Sequence, residues 1–107
     1  MSSAFMMDKS LDNLICALCG DFDRRRRAIE EKKLPMRVLL EYKFLNYKIL
    51  EATIEIVGAA NALTFIEDIG AHRGYAKSMI EFYSEGAYKK AKALVKQSIA
   101  LRLALGK

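Results

Sequence analysis

The sequence predicts an all-α protein, a small helical bundle with a helix-turn-helix-like unit at its C-terminal end. Three observations lead there. No stretch alternates apolar and polar residues for long, and three valines and two threonines are spread over 107 residues, so the strand signal is missing. Helix caps and breakers at Asp8, Gly20, Pro35, Gly58, Gly70, Gly74 and Ser84 divide the chain into helix-sized pieces. Apolar residues make up 52% of the chain, enough for one core and too much for a disordered segment. A single domain over 1–107 is expected, with a helical body at 8–69 and a basic segment at 70–107.

The first helix starts at Asp8 or Ser10, both good N-caps, and stops at Gly20. The second runs from Asp21 or Asp23 to Lys33, with aspartates at its positive end and Lys32 and Lys33 at its negative end. Leu34-Pro35 breaks the chain, and Pro35 suits the first turn of the next helix. The third helix, Pro35 to Val57, carries a charged stripe of Arg37, Glu41, Lys48, Glu51 and Glu55. Its apolar arc is wider than one neighbour needs, so it is central or it faces a second copy of the chain. Asn46 falls inside that arc and is expected at a groove edge. Gly58 permits a bend, and a fourth helix covers Ala59 to Ile69. A short helix from Tyr75 to Phe82 and a last one from Glu85 to Leu105, capped by Ser84 and ended by Gly106, complete the chain.

Charge is unevenly placed. Residues 1–69 hold ten Lys/Arg against eleven Asp/Glu, whereas residues 70–107 hold eight against two. A neutral body with a basic end points to a polyanionic partner, duplex DNA first among them. On a helical wheel, Lys89, Lys92 and Lys96 lie together opposite Tyr88, Leu94, Val95, Ile99 and Leu101, with Lys90 beside them. A short helix, a tight turn and a longer basic helix form the outline of a helix-turn-helix. The expected nucleic-acid-binding residues are Arg73, Lys77, Tyr88, Lys89, Lys90, Lys92 and Lys96.

The stretches Gly74-Tyr75-Ala76-Lys77-Ser78 and Ser84-Glu85-Gly86-Ala87-Tyr88-Lys89-Lys90-Ala91-Lys92, with the tail Ser98-Ile99-Ala100-Leu101-Arg102-Leu103, resemble the C-terminal part of phage and prophage regulators of the ArpU/RinA type. Those are similar in turn to the helix-turn-helix of sigma-factor region 4. The resemblance covers about a third of the chain and implies DNA binding and transcriptional control. Without it, the wide apolar third helix supports a different expectation, a helical interaction or phage-assembly protein that self-associates through residues 36–57.

Other features point away from chemistry. Cys16 and Cys19 share a helix face with Leu11 and Ile15 and are expected as buried free thiols. His72, in a Gly-Ala-His-Arg-Gly turn, is expected on the surface, and Glu67 and Asp68 point apart. Arg24 to Arg27 can pair with Asp21, Asp23, Glu30 and Glu31 as a solvated face, with RNA contact as the alternative. No nucleotide-binding, metalloprotease or nucleophile-elbow motif is present, so neither an enzyme nor a cofactor or metal is expected. The longest uncharged stretch, Ile56 to Ile66, is eleven residues, short of the roughly 20 that span a bilayer. With no signal-peptide pattern at Met1–Met7 either, a cytoplasmic protein is expected.

Overall fold

A computed structural model describes residues 8–104. Within them the chain forms five α-helices and no strand: α1 (Lys9–Gly20), α2 (Phe22–Glu31), α3 (Met36–Val57), α4 (Ala59–Gly70) and α5 (Glu85–Arg102). A 3₁₀ turn, Tyr75–Lys77, lies between α4 and α5. The expected all-α bundle is therefore present. Helix α5 ends at Arg102, with Leu103 as its C-cap and Ala104 in a turn, short of the expected end near Leu105; Leu105 and Gly106 themselves lie outside the described residues.

Local chemistry explains the boundaries. Asp8 caps α1 by accepting from the Leu11 amide at 2.7 Å. Lys32 closes α2 in the left-handed conformation, one residue before the expected end at Lys33. Pro35 sits just ahead of α3 with extended ψ rather than inside its first turn. Gly58, at φ 84°, lets the chain turn by 116° between α3 and α4.

Helix α3 is central. It packs against α2, α4 and α5, while α1 packs mainly on α4. Ile49, Ala52 and Val57 of α3 meet Phe65 and Ile69 of α4 and Tyr88, Val95 and Ile99 of α5 in one core, together with Ile15, Cys16 and Cys19 of α1. Both cysteines are free and buried, as expected. Burial pushes the Cys19 thiol up to about 12, with the neighbouring Cys16 adding to the shift.

Two polar joints corrected the sequence reading. Asn46 is not at a groove edge; it is buried, accepts from Arg25 Nε at 2.7 Å and donates to the Phe22 carbonyl at 3.1 Å. Arg25, expected on a solvated face, is 3% exposed and also donates to the Leu18 carbonyl. Its guanidinium thus ties α1, α2 and α3 together. The other three arginines behave as expected: Arg24 pairs with Asp21, Arg26 with Asp23 and Glu30, and Arg27 with Asp23.

The expected helix from Tyr75 to Phe82 does not form. After the 3₁₀ turn the chain runs without helix to Ser84, with Phe82 in the left-handed region at φ 66°. Side chains take over the backbone's partners. Ser78 Oγ donates to the Asp68 carboxylate and accepts from the Ile80 amide, and the Tyr75 hydroxyl donates to the Tyr83 carbonyl. Such side-chain bonds compete with helical ones. The first helix of the expected helix-turn-helix is thereby missing.

Helices α1 and α4 cross at two glycines. A Cβ on Gly70 would lie 2.6 Å from the Gly20 backbone, while a Cβ on Gly86 would meet nothing within 4 Å. Gly70→Ala should therefore cost about 1–3 kcal/mol by overpacking. Gly86→Ala should be neutral or stabilise by up to about 1 kcal/mol. Denaturant midpoints of the two variants check this; equal effects would contradict the crossing.

Candidate functional site

The residues expected to bind nucleic acid do not share one open face. Helix α5 is rolled relative to the expected orientation. Tyr88, Ala91, Val95 and Ile99 point inward, whereas Leu94 and Leu101, expected in the core, are 39% and 77% exposed. The lysine stripe then lies at the edge of the buried sector instead of opposite it.

Each stripe residue has an internal partner. Lys96 Nζ bonds Asp12 of α1 at 2.9 Å. Lys92 Nζ donates to the Arg73 carbonyl at 2.6 Å and sits 5.6 Å from the centre of the Tyr88 ring. Burial, reinforced by the nearby Lys96 charge, lowers the Lys92 pKa from its ordinary value. Lys89 is exposed and pairs with Glu85 one turn back at 3.1 Å. Lys77 and Lys90 are exposed. Arg73 is held by Glu67 at 3.4 Å and Asp68 at 3.2 Å.

Tyr88 cannot reach a macromolecular ligand. It is 1% exposed, stacks on Phe65 with ring centres 5.2 Å apart, and lies 5.6 Å from the Tyr75 ring. Its hydroxyl donates to Asp68 Oδ2 at 2.8 Å. Asp68, fully buried, thus collects Tyr88, Ser78 and the Arg73 guanidinium. No local signal marks this cluster, because its members lie up to 20 residues apart and Asp68 reads as an ordinary acid at a helix end.

A second surface is open and was only partly anticipated. Met36, Leu40, Phe44, Tyr47 and Ile54 of α3 are 67%, 58%, 53%, 61% and 38% exposed. At about 100° per residue they fall within roughly 80° of arc, on the side of α3 turned away from Asn46, Ile49 and Thr53. Lys48 lies 5.7 Å and 5.9 Å from the Phe44 and Tyr47 rings at the border of this stripe. Of the two expectations for α3, a central position or a face toward a second copy, the central position is present, and the helix also has an open apolar side.

A third feature is a cleft of about 700 Å³ beside the α1–α4 crossing, lined by Phe22, Leu63 and Ile66 with Arg26 and Arg73 at its margin. Both arginines are already engaged by carboxylates. Among the described residues no group of three or more His, Cys, Asp or Glu is placed to hold a metal ion, and no single helix is long and apolar enough to cross a membrane. His72 is an exposed turn residue at φ 56°. No family model, no curated protein and no solved structure matches the chain.

The Tyr88–Asp68 contact has a pH signature. Burial, with the Asp68 hydrogen bond second, pushes the Tyr88 phenol from 10.0 up to about 12. The fold holds this proton more tightly than the unfolded chain does. Its contribution to stability is therefore complete below pH 10 and is lost as pH rises toward 12. Tyr88→Phe keeps the ring stack and removes the ionisation. Denaturant midpoints should fall less steeply for Tyr88→Phe than for the native chain between pH 10 and 12; parallel curves would contradict the assignment.

Proposed function

We propose that this chain is a non-enzymatic helical interaction protein that self-associates through the outer face of α3. The carrying observation is the row Met36, Leu40, Phe44 and Tyr47 on one side of α3, continued beyond Glu51 by Ile54, each of these apolar residues more than a third exposed. Single exposed apolar residues need no explanation, but a contiguous row of large ones on one helix marks an interaction surface. Aromatic and methionine side chains, which this stripe contains, are the types enriched in such interfaces. The inner side of α3 already packs on α2, α4 and α5, so the outer stripe is not part of the chain's own core.

A duplex-DNA regulator of the ArpU/RinA type is the second reading. It keeps the basic bias of residues 70–107; among the described residues of that segment the exposed cations are Lys77, Lys89 and Lys90. Lys77 and Lys90 are exposed and have no carboxylate within ion-pair distance among the described residues. Phosphate contacts by these side chains would make binding strongly salt-dependent.

The two readings separate in one set of variants. The double variant Leu40→Glu with Phe44→Glu should sediment as the 12.1 kDa monomer with unchanged helical circular dichroism, while the native chain sediments as an oligomer. A native chain that is monomeric at all concentrations sinks the self-association reading. Loss of salt-sensitive duplex retention in the triple variant Lys77→Glu, Lys89→Glu, Lys90→Glu supports the DNA reading; native protein that is not retained on duplex sinks it.

A further inference from the structure

The α3 stripe also carries information about how two copies meet. We infer, resting on the self-association reading, that two copies pair through antiparallel α3 helices about a two-fold axis beside Tyr47. Three independent features of the helix agree on this register.

The first is apolar spacing. Leu40 and Ile54 each lie seven residues from Tyr47, which is two helical turns and the same face. With Tyr47 on the axis, Leu40 meets the partner's Ile54 and Ile54 meets the partner's Leu40. A two-fold contact must be reciprocal in this way.

The second is charge. Arg37 and Glu55 share one flank of the stripe, near its opposite ends. A two-fold axis perpendicular to antiparallel helices keeps like flanks together, so Arg37 approaches the partner's Glu55, offset by about 3 Å along the axis. Arg37 is exposed and has no carboxylate within ion-pair distance among the described residues. Glu55 Oε1 is bonded by Arg102 at 3.0 Å and accepts from Ser98 Oγ at 3.2 Å, yet its side chain remains 55% exposed. A parallel pair would instead bring opposite flanks together, setting Arg37 toward the side that carries the partner's Lys43, and like charges repel.

The third is shape at the ends. Met36 lies eleven residues before Tyr47 and Gly58 eleven after. Antiparallel pairing therefore places Met36, the most exposed side chain of the stripe, over the partner's Gly58. That corner is open: a Cβ on Gly58 would meet nothing within 4 Å, and Ala59 and Ala60 beside it are exposed. A large flexible side chain thus meets a landing place made of small residues.

Cysteine cross-linking under mild oxidation, run beside sedimentation equilibrium, tests the register. The native thiols are buried at 4% and 3% exposure and give little background. Tyr47→Cys should form a disulfide dimer on its own, because its copies meet at the axis. Leu40→Cys alone should not, since its copies lie about 21 Å apart along the helices, beyond the roughly 7 Å that a disulfide tolerates between Cα atoms. A mixture of Leu40→Cys and Ile54→Cys chains of different tag length should give the mixed dimer. Self-cross-linking of Leu40→Cys as efficient as that of Tyr47→Cys overturns the antiparallel arrangement. A sedimenting oligomer with no Tyr47→Cys dimer overturns the register alone. A monomer by sedimentation overturns the self-association reading and this inference with it.

Discussion

The carboxylate of Asp68 governs how the last third of the chain is arranged. It is fully buried at the end of α4 and receives Tyr88 from α5, Ser78 from the connector and the guanidinium of Arg73. A buried carboxylate is costly unless each of its lone pairs finds a donor. Here the donors come from three places in sequence, so satisfying Asp68 fixes the connector and the roll of α5 together. Ser78, drawn to Asp68, leaves the helical path. Tyr88, drawn to the same group, turns inward and takes its place against Phe65. Lys92 follows and closes the arrangement by bonding the Arg73 carbonyl.

That constraint has consequences on the outside of the molecule. Once α5 is rolled to bury Tyr88, Lys92 and Lys96 lie at the rim of the core, bonded to the Arg73 carbonyl and Asp12, while Lys89 pairs with Glu85 and Lys90 points to solvent. Leu94 and Leu101 turn toward solvent. Meanwhile α3, gripped on one side by α2, α4 and α5, keeps its other side free. The Arg25–Asn46 joint holds α3 against α2 at a fixed rotation, which determines which of its residues face out. The open stripe on α3 thus follows from a buried polar contact made on the helix's opposite side, by Asn46 in the middle of α3.

The helices were largely legible in the sequence because their ends are set by local chemistry. Asp8, Gly20, Gly58 and Ser84 act within one turn of themselves, and each stands where a boundary was expected. The connector was not legible. Tyr75 to Phe82 has the composition of a helical turn, and its bonds to the distant Asp68 and from Tyr75 to the Tyr83 carbonyl explain why it is not one. The lysine stripe failed for a related reason. A helical wheel gives the angles between side chains but not which sector faces the core, and Tyr88 and Lys92 are decided by partners on other elements. Arg25 was hidden inside a run of four arginines of which three are solvated, so no local signal separated it from its neighbours. Free buried Cys16 and Cys19 and the surface turn at His72 were readable, since each follows from residue type and immediate context.

The central claim is that the outer side of α3, left free by these buried contacts, joins copies of the chain. Small-angle scattering of the native protein over a dilution series tests it most directly. The account predicts a mass from forward scattering of at least about twice 12.1 kDa at high concentration. The radius of gyration should then stand clearly above the 14.1 Å of a single chain, with both values falling on dilution. A mass of one chain and an unchanged radius across the whole series would contradict it.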